Sequence, residues 1–226
     1  MIKLGLVGKN ISNSKSKQMY EKLLGIEVNY QLFDYNSPKG IPSLDEFFKK
    51  VEGLSITAPY KNHFLTNVKI DNQIKSLGAI NCIKKVENSF FGTNTDYLAC
   101  KDILFQYFNH GYKFFILGDG AMSRVVSSIL KENKEEFVVL SRRQKNLNNF
   151  NFCNETSEYL IINTCHKSYV FDGLIDNRLV AYWDLNYSVV IPNKSPLFNN
   201  DKYLDGLELL YLQAKYALDF WKIKIP

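Results

Sequence analysis

The sequence predicts an α/β fold, on three observations. Short apolar runs alternate with helically periodic stretches from one end of the 226-residue chain to the other. One alternation, "YKFFILGDGAMSRVVSSIL" at 112–130, is a buried strand, a tight Gly118-Asp119-Gly120 turn and a helix, as in the opening unit of a nucleotide-binding sheet. Hydrophobic residues make up 46% of the chain and aromatic residues 14%, enough to fill one large or two small cores.

In chain order, residues 1–8, "MIKLGLVG", give a first buried strand at 2–7 ending in Gly8. The run is too short for the apolar core of a signal sequence and has no small-residue cleavage site. Apolar spacing predicts helices at 16–24 and 42–51, with a strand at 27–33 between them. Residues 53–57 of "GLSITAPYKN" form a third strand, with Pro59 and Lys61 just past its end. Strands at 80–86 and 89–92 flank a hairpin turn at Asn88-Ser89. A helix over about 95–110 leads to strands at 113–117, 136–140, 159–163 and 179–183. Helical periodicity returns at 121–131 and at 206–221, "GLELLYLQAKYALDFW". The polar segment "SRRQKNLNNFNFCNETSE", 141–158, stands where a doubly wound unit usually has a helix, but its pattern suits a very short helix or an irregular loop.

Composition removes several functions. The four cysteines (Cys82, Cys100, Cys153, Cys165) lie far apart without a C-x-x-C pair, and the three histidines are equally scattered, so no metal site is expected. The formal charge of +5 suits a protein that handles anionic small molecules and equally suits plain solubility. Basic residues are spread out, with no aromatic-interleaved basic stretch, so nucleic acid is set aside. No apolar run is long enough to span a bilayer, which leaves a soluble, cytoplasmic protein without a membrane partner as the expectation. Assembly is left open between monomer and homodimer.

Candidate chemistry sits at strand ends. Ser14 and Ser16 follow the first strand as a helix begins, where hydroxyls and free N–H groups suit a carboxylate, although Ser14 equally suits an ordinary cap. Asn81, Asn94, Thr95 and Asp96 gather near the ends of strands 80–86 and 89–92, and Asp96 also has the position of a helix cap. The Gly118–Gly120 turn lets backbone approach a pyrophosphate at the helix start, although the usual third glycine is replaced by Met122-Ser123. After strand 136–140 come Ser141, Arg142 and Arg143, where an NAD site would place an acid. Two guanidiniums suit the 2′-phosphate of NADP.

The ordered set S-K-S (14–16), G-L-S-I-T-A-P-Y-K (53–61), G-A-I-N (78–81), G-T-N-T-D (92–96), the glycine turn, S-R-R (141–143) and G-L-E-L-L-Y-L-Q-A (206–214) resembles the shikimate dehydrogenase family over nearly the whole chain. The resemblance implies NADPH-dependent reduction of 3-dehydroshikimate to shikimate, a step toward aromatic amino acids. It implies an N-terminal α/β substrate-binding domain (1–96 and 206–226), a Rossmann-like NADP-binding domain (97–205) and a cleft between them. Lys61 and Asp96 match the catalytic pair. Ser14 and Ser16 match the carboxylate ligands, Thr57, Asn81 and Asp96 the ring-hydroxyl ligands, and Tyr187 and Gln213 two further substrate positions. Gly118, Asp119, Gly120, Ala121 and Met122 match the cofactor turn, Ser141, Arg142 and Arg143 the adenosine-phosphate site, and Leu185 and Gly206 the backbone near the nicotinamide. Within the family, a quinate/shikimate dehydrogenase using NAD is the alternative, against which the arginines argue. Outside it, the alternative is a non-catalytic relative, against which Lys61 and Asp96 argue.

The pattern departs from the family at several places. After S-x-S the family's proline, histidine and asparagine are replaced in "KQMYEK". Its N-V-T is Ser55-Ile56-Thr57, and its G-A-G-G-A turn is G-D-G-A-M with Asp119 near the expected phosphates. The chain is also shorter, in the 141–178 region and at the C-terminus, which implies a trimmed cofactor domain.

Overall fold

The computed structural model describes residues 1–147, 150–187, 189, 191–192, 195–197 and 201–226. The chain divides into two compact units, Met1–Ala99 together with Leu210–Pro226, and Cys100–Leu209.

The first unit is built on a six-stranded mixed sheet in the order β2-β1-β3-β5-β6-β4. Its strands are β1 (Lys3–Gly8), β2 (Asn29–Asp34), β3 (Gly53–Ile56), β4 (Lys69–Ile70), β5 (Cys82–Val86) and β6 (Ser89–Thr93). β1 pairs in parallel with both β2 and β3, while β5 runs antiparallel to β3 and β6. This places the C-terminal ends of β1 and β3 side by side, and the segments bearing Ser14 and Lys61 leave from those ends. Helix α1 (Ser16–Leu24) stops at Gly25, which takes a left-handed φ of 65° as its N–H returns to the Glu21 carbonyl. Helices α2 (Leu44–Phe48) and α3 (Asn72–Ser76) are one-turn pieces, so the 42–51 prediction was too long. The hairpin between β5 and β6 turns at Glu87-Asn88, one residue earlier than expected. Val86 faces Ser89 there, and Glu87 takes the positive φ of 52°.

The core of this unit joins distant parts of the chain. Leu4, Tyr20, Leu24 and Val28 pack against Ala214, Ala217, Leu218 and Trp221 near the C-terminus. Trp221 lies against Gly53, where a Cβ would run into the indole, and its Nε1–H donates to the Ile83 carbonyl at 2.9 Å. The chain leaves this unit within α4 (Thr95–Phe105) and re-enters it within the last helix, Leu207–Phe220.

The second unit carries β7 (Lys113–Leu117), α5 (Ala121–Glu132), β8 (Phe137–Leu140), β9 (Tyr159–Asn163), β10 (Leu179–Asp184) and β11 (Tyr203–Leu204); the last helix, α6, begins after β11. Its five strands are all parallel, in the order β11-β10-β9-β7-β8. The order reverses between β7 and β9, and such a switch point opens a crevice at the carboxyl ends of the strands. Between β8 and β9 the described residues form a single 3-10 turn, Phe152–Asn154; Asn148 and Asn149 of this segment lie outside the described residues. The described residues of this segment form an irregular cover. Leu147 and Phe152 are buried on the sheet beside Phe115, Tyr159 and Phe171. Arg178 then holds the cover down through the carbonyls of Cys153 and Glu155.

Among the described residues no helix is long and apolar enough to cross a membrane, and no group of three metal-ligating side chains occurs.

Candidate active site

Lys61 leaves the loop after β3, and Asp96 sits in the first turn of α4. Lys61 Nζ lies 2.6 Å from Asp96 Oδ2. The side chains are 20% and 15% exposed, so neither charge is sealed in the core and neither stands free in water. The backbone around them is pinned. The N–H of Ile80 bonds to the Lys61 carbonyl at 2.8 Å, and the N–H of Thr57 bonds to the Val7 carbonyl at 2.9 Å. Asn94, not Asp96, caps α4, since its Oδ1 accepts the Tyr97 N–H at 3.0 Å. Asp96 is thereby left for Lys61, in a first helical turn whose free N–H groups favour the carboxylate.

Asn81 is buried and largely committed. Its Oδ1 accepts the Thr95 N–H at 2.7 Å and its Nδ2 donates to Thr95 Oγ1 at 3.0 Å, which leaves one amide proton for a ligand. Thr57 stands between Lys61 and the end of β3, half-buried. Ser14 and Ser16 face each other. Ser14 Oγ donates to Ser16 Oγ at 3.1 Å and accepts the Ser16 N–H at 3.3 Å. Asp34, at the end of β2, clamps the loop before them by accepting the N–H groups of Asn10 and Ile11 at 2.9 and 3.0 Å.

Two departures from the family pattern turn out to answer each other. The Tyr20 hydroxyl and Ser55 Oγ are 3.2 Å apart inside the core. The tyrosine on α1 reaches across to the shortened side chain on β3, so a buried polar contact joins the two elements.

In the second unit the glycine turn has a structural need for glycine. Gly118 takes φ 101°, and a Cβ on it would lie 2.8 Å from Thr164 Oγ1 and 3.2 Å from Cys165 Sγ. Gly120 is the N-cap of α5 and donates no side chain there, so the N–H groups of Ala121 and Met122 open the helix. Asp119 is met by Arg143, whose Nε lies 3.3 Å from its carboxylate. Arg142 instead lines a cavity of about 300 Å³ with Cys165, His166, Ser168 and Tyr169. Ser141 is buried and holds its own loop, accepting the Gln144 N–H at 3.2 Å. Burial pushes the Cys165 thiol up to about 11, with Arg142 opposing and Asp184 and Asp119 reinforcing the shift.

Leu185 and Gly206 meet through backbone. The Gly206 N–H donates to the Asn186 carbonyl at 2.9 Å, and a side chain on Gly206 would strike the Leu185 carbonyl. Tyr187 is half-buried in the second unit, and burial raises its phenol. Gln213 belongs to the first unit, where its Nε2 donates to the Leu210 carbonyl at 3.0 Å. Sequence reading missed Asp34, Tyr20 and Ser55 as site supports, and Thr164 and Cys165 as the wall of the glycine turn. The signal for the last two was small polar residues at the end of an apolar strand, but it gains meaning only once β9 is seen beside β7.

Two α/β units, the second with the all-parallel topology and glycine turn of a dinucleotide-binding domain, define the class of the two-domain nucleotide-linked dehydrogenases. The comparisons narrow it. Residues 6–83 match the family model for the shikimate dehydrogenase substrate binding domain. The chain is 30% identical to the shikimate dehydrogenase (NADP(+)) of Saccharolobus solfataricus, covering 96% of this chain and 88% of that one. It is 27% identical to the Clostridium botulinum enzyme of the same name, covering 98% and 96%. Among solved structures it resembles a chorismate mutase/shikimate 5-dehydrogenase fusion protein from Clostridium acetobutylicum (TM-score 0.80, 24% identity, 100% and 93% covered). It also resembles the Thermus thermophilus shikimate 5-dehydrogenase in complex with NADP(H) and shikimate (TM-score 0.75, 22% identity, 100% and 95% covered). The chain belongs to the shikimate dehydrogenase family.

Proposed function

We propose that this protein interconverts 3-dehydroshikimate and shikimate with NADP(H), using Lys61 as the proton donor and acceptor and Asp96 as its orienting partner. The observation that carries the reading is the 2.6 Å contact between Lys61 and Asp96, partly open to solvent. An ammonium held this way is ready for a ring oxygen, and the carboxylate has a second oxygen with which to take a neighbouring hydroxyl. Thr57 and the remaining amide proton of Asn81 hold ring hydroxyls, while Ser14 and Ser16 take the carboxylate. Tyr187 and Gln213 are assigned to the substrate by family position.

NADP fits the second unit. Gly118 keeps the strand end clear of side chain, helix-start N–H groups follow it, and Arg142 stands at a cavity of about 300 Å³. Arg143 is engaged with Asp119, so Arg142 is the guanidinium assigned to the 2′-phosphate. When bound, NADPH supplies the hydride. Reduction of a ketone places negative charge on its oxygen, and Lys61 stabilises that charge and delivers the proton. In the reverse direction Lys61 takes the proton from the shikimate hydroxyl.

The test is an assay of shikimate with NADP⁺ and with NAD⁺, and of quinate with each, followed by absorbance of the reduced cofactor. Turnover is expected with shikimate and NADP⁺ above the other three combinations. Lys61→Ala is expected to lower kcat by about a hundredfold or more. Absence of turnover in all four assays would overturn the reading in favour of a non-catalytic ligand binder.

A further inference from the structure

Tyr30, the second residue of β2, presents an anomaly beside the serine pair. Its ring packs on Tyr20, with centroids 5.7 Å apart. Its hydroxyl oxygen is buried and has no hydrogen-bond partner, alone in this among the side chains of the described residues. A buried hydroxyl in this state has donor and acceptor capacity that no protein group meets. The hydroxyls that face it are those of Ser16 and Ser55. Ser55 is held by Tyr20 at 3.2 Å inside the core, whereas Ser16 belongs to the serine pair at the candidate carboxylate site. Burial also raises the Tyr30 phenol well above its ordinary range, so the group stays protonated and acts as a donor.

Ser16 Oγ, however, already accepts the hydroxyl of Ser14 at 3.1 Å. A carboxylate entering between the two serines offers only acceptors. It therefore draws the Ser14 proton to itself and removes the donor that Ser16 Oγ had. We propose that Tyr30 is a positioning residue for the substrate carboxylate: on binding, its hydroxyl replaces Ser14 as the donor to Ser16 Oγ and so aims the Ser16 proton at the second carboxylate oxygen. The hydrogen-bond count then closes. The two serines give their protons to the ligand, Tyr30 gives its proton to Ser16, and the unsatisfied hydroxyl disappears. The exchange needs a ligand that offers an acceptor to each serine, as the two oxygens of a carboxylate do.

This inference rests on the shikimate reading of the site. Its test is a cycle of Tyr30→Phe, Ser16→Ala and the double variant in the full chain, read by calorimetric binding of shikimate and by steady-state kinetics. Tyr30→Phe keeps the ring and its packing. It is expected to raise Kd and KM for shikimate about fivefold to tenfold, the scale of one hydrogen bond, with kcat and the KM for NADP⁺ unchanged. The melting temperature is expected to hold or rise, because the unsatisfied atom is gone. In the Ser16→Ala background the same change should have less than about a twofold effect, since the two residues act through one bond. Parent-like shikimate binding by Tyr30→Phe, an equal penalty in both backgrounds, or a clear fall in its melting temperature would each overturn the inference while leaving the activity standing. A parent protein that neither binds nor turns over shikimate would overturn both.

Discussion

Lys61 and Asp96 could be singled out from the sequence because a charge just beyond a buried strand and an acid at a helix start are both unusual enough to notice. What the sequence left open was the role of Asp96, since a cap and a partner for lysine occupy the same few positions. The contact of Asn94 with the Tyr97 N–H decides it by giving the cap to the earlier residue. Tyr20 and Ser55 were illegible for a different reason. Each looks like a loss when compared singly with the family pattern, and only the fold brings positions 35 residues apart into one hydrogen bond. Cys165 offers a test at this scale. Its folded-state value of about 11 against 9.0 for a free thiol means that the folded chain holds the proton more tightly. The associated stability is fully present below pH 9 and is lost as the pH rises through about 11. At pH 9, alkylation of Cys165 by iodoacetamide, followed by peptide mass spectrometry, should run roughly tenfold slower in the native than in the urea-unfolded chain, after allowing for the greater nucleophilicity of a high-pKa thiolate. Equal rates would show that Arg142 outweighs burial.

At the scale of elements, the long periodic pieces were readable, and α1, α5 and α6 fall within a residue or two of their expected limits. The two-residue strands β4 and β11 and the one-turn α3 were not, because such lengths produce no period at all. The strand-turn-helix around Gly118 was legible as a motif, yet the reason for its first glycine lies across the sheet. Gly118 combines φ 101° with Thr164 Oγ1 2.8 Å from where a Cβ would stand. Gly118→Ala therefore meets both backbone strain and a clash, and is expected to cost about 1–3 kcal/mol in urea denaturation. It should also weaken NADP⁺ binding measured by fluorescence titration. Normal stability together with normal cofactor affinity would show that the turn has slack. The 141–158 segment marks the opposite case. Its polarity spoke against a helix, but nothing in a local window announced that Phe152 would be buried under the Phe171 ring as part of a cover.

At the scale of the whole molecule, the sequence announced α/β alternation and the family pattern supplied two domains, whereas strand order appears only in three dimensions. The parallel sheet of the second unit, β11-β10-β9-β7-β8, has β8 as its edge strand on one side. That is the position at which a longer nucleotide-binding sheet would add a further strand. The first unit is discontinuous, and Trp221 is the residue that ties its ends together, lying on Gly53 and bonding to the Ile83 carbonyl. Trp221→Ala should destabilise that unit by about 3–5 kcal/mol, the range for deleting a buried aromatic. Denaturation followed by hydrogen exchange should show the loss in the residue 1–99 segment before the 100–209 segment. A uniform loss over both would indicate that the two unfold as one.

The closure by Trp221 also bears on how the protein is made. The residues of the second unit run continuously from Cys100 to Leu209, so they can consolidate while translation is still under way. The earlier ninety-nine residues, although synthesised first, must wait for Ala214, Ala217, Leu218 and Trp221 to emerge from the ribosome before their apolar surface is fully covered. Nascent chains halted short of that point would carry Lys61 and Asp96 on an unfinished scaffold and present a natural client for holding chaperones.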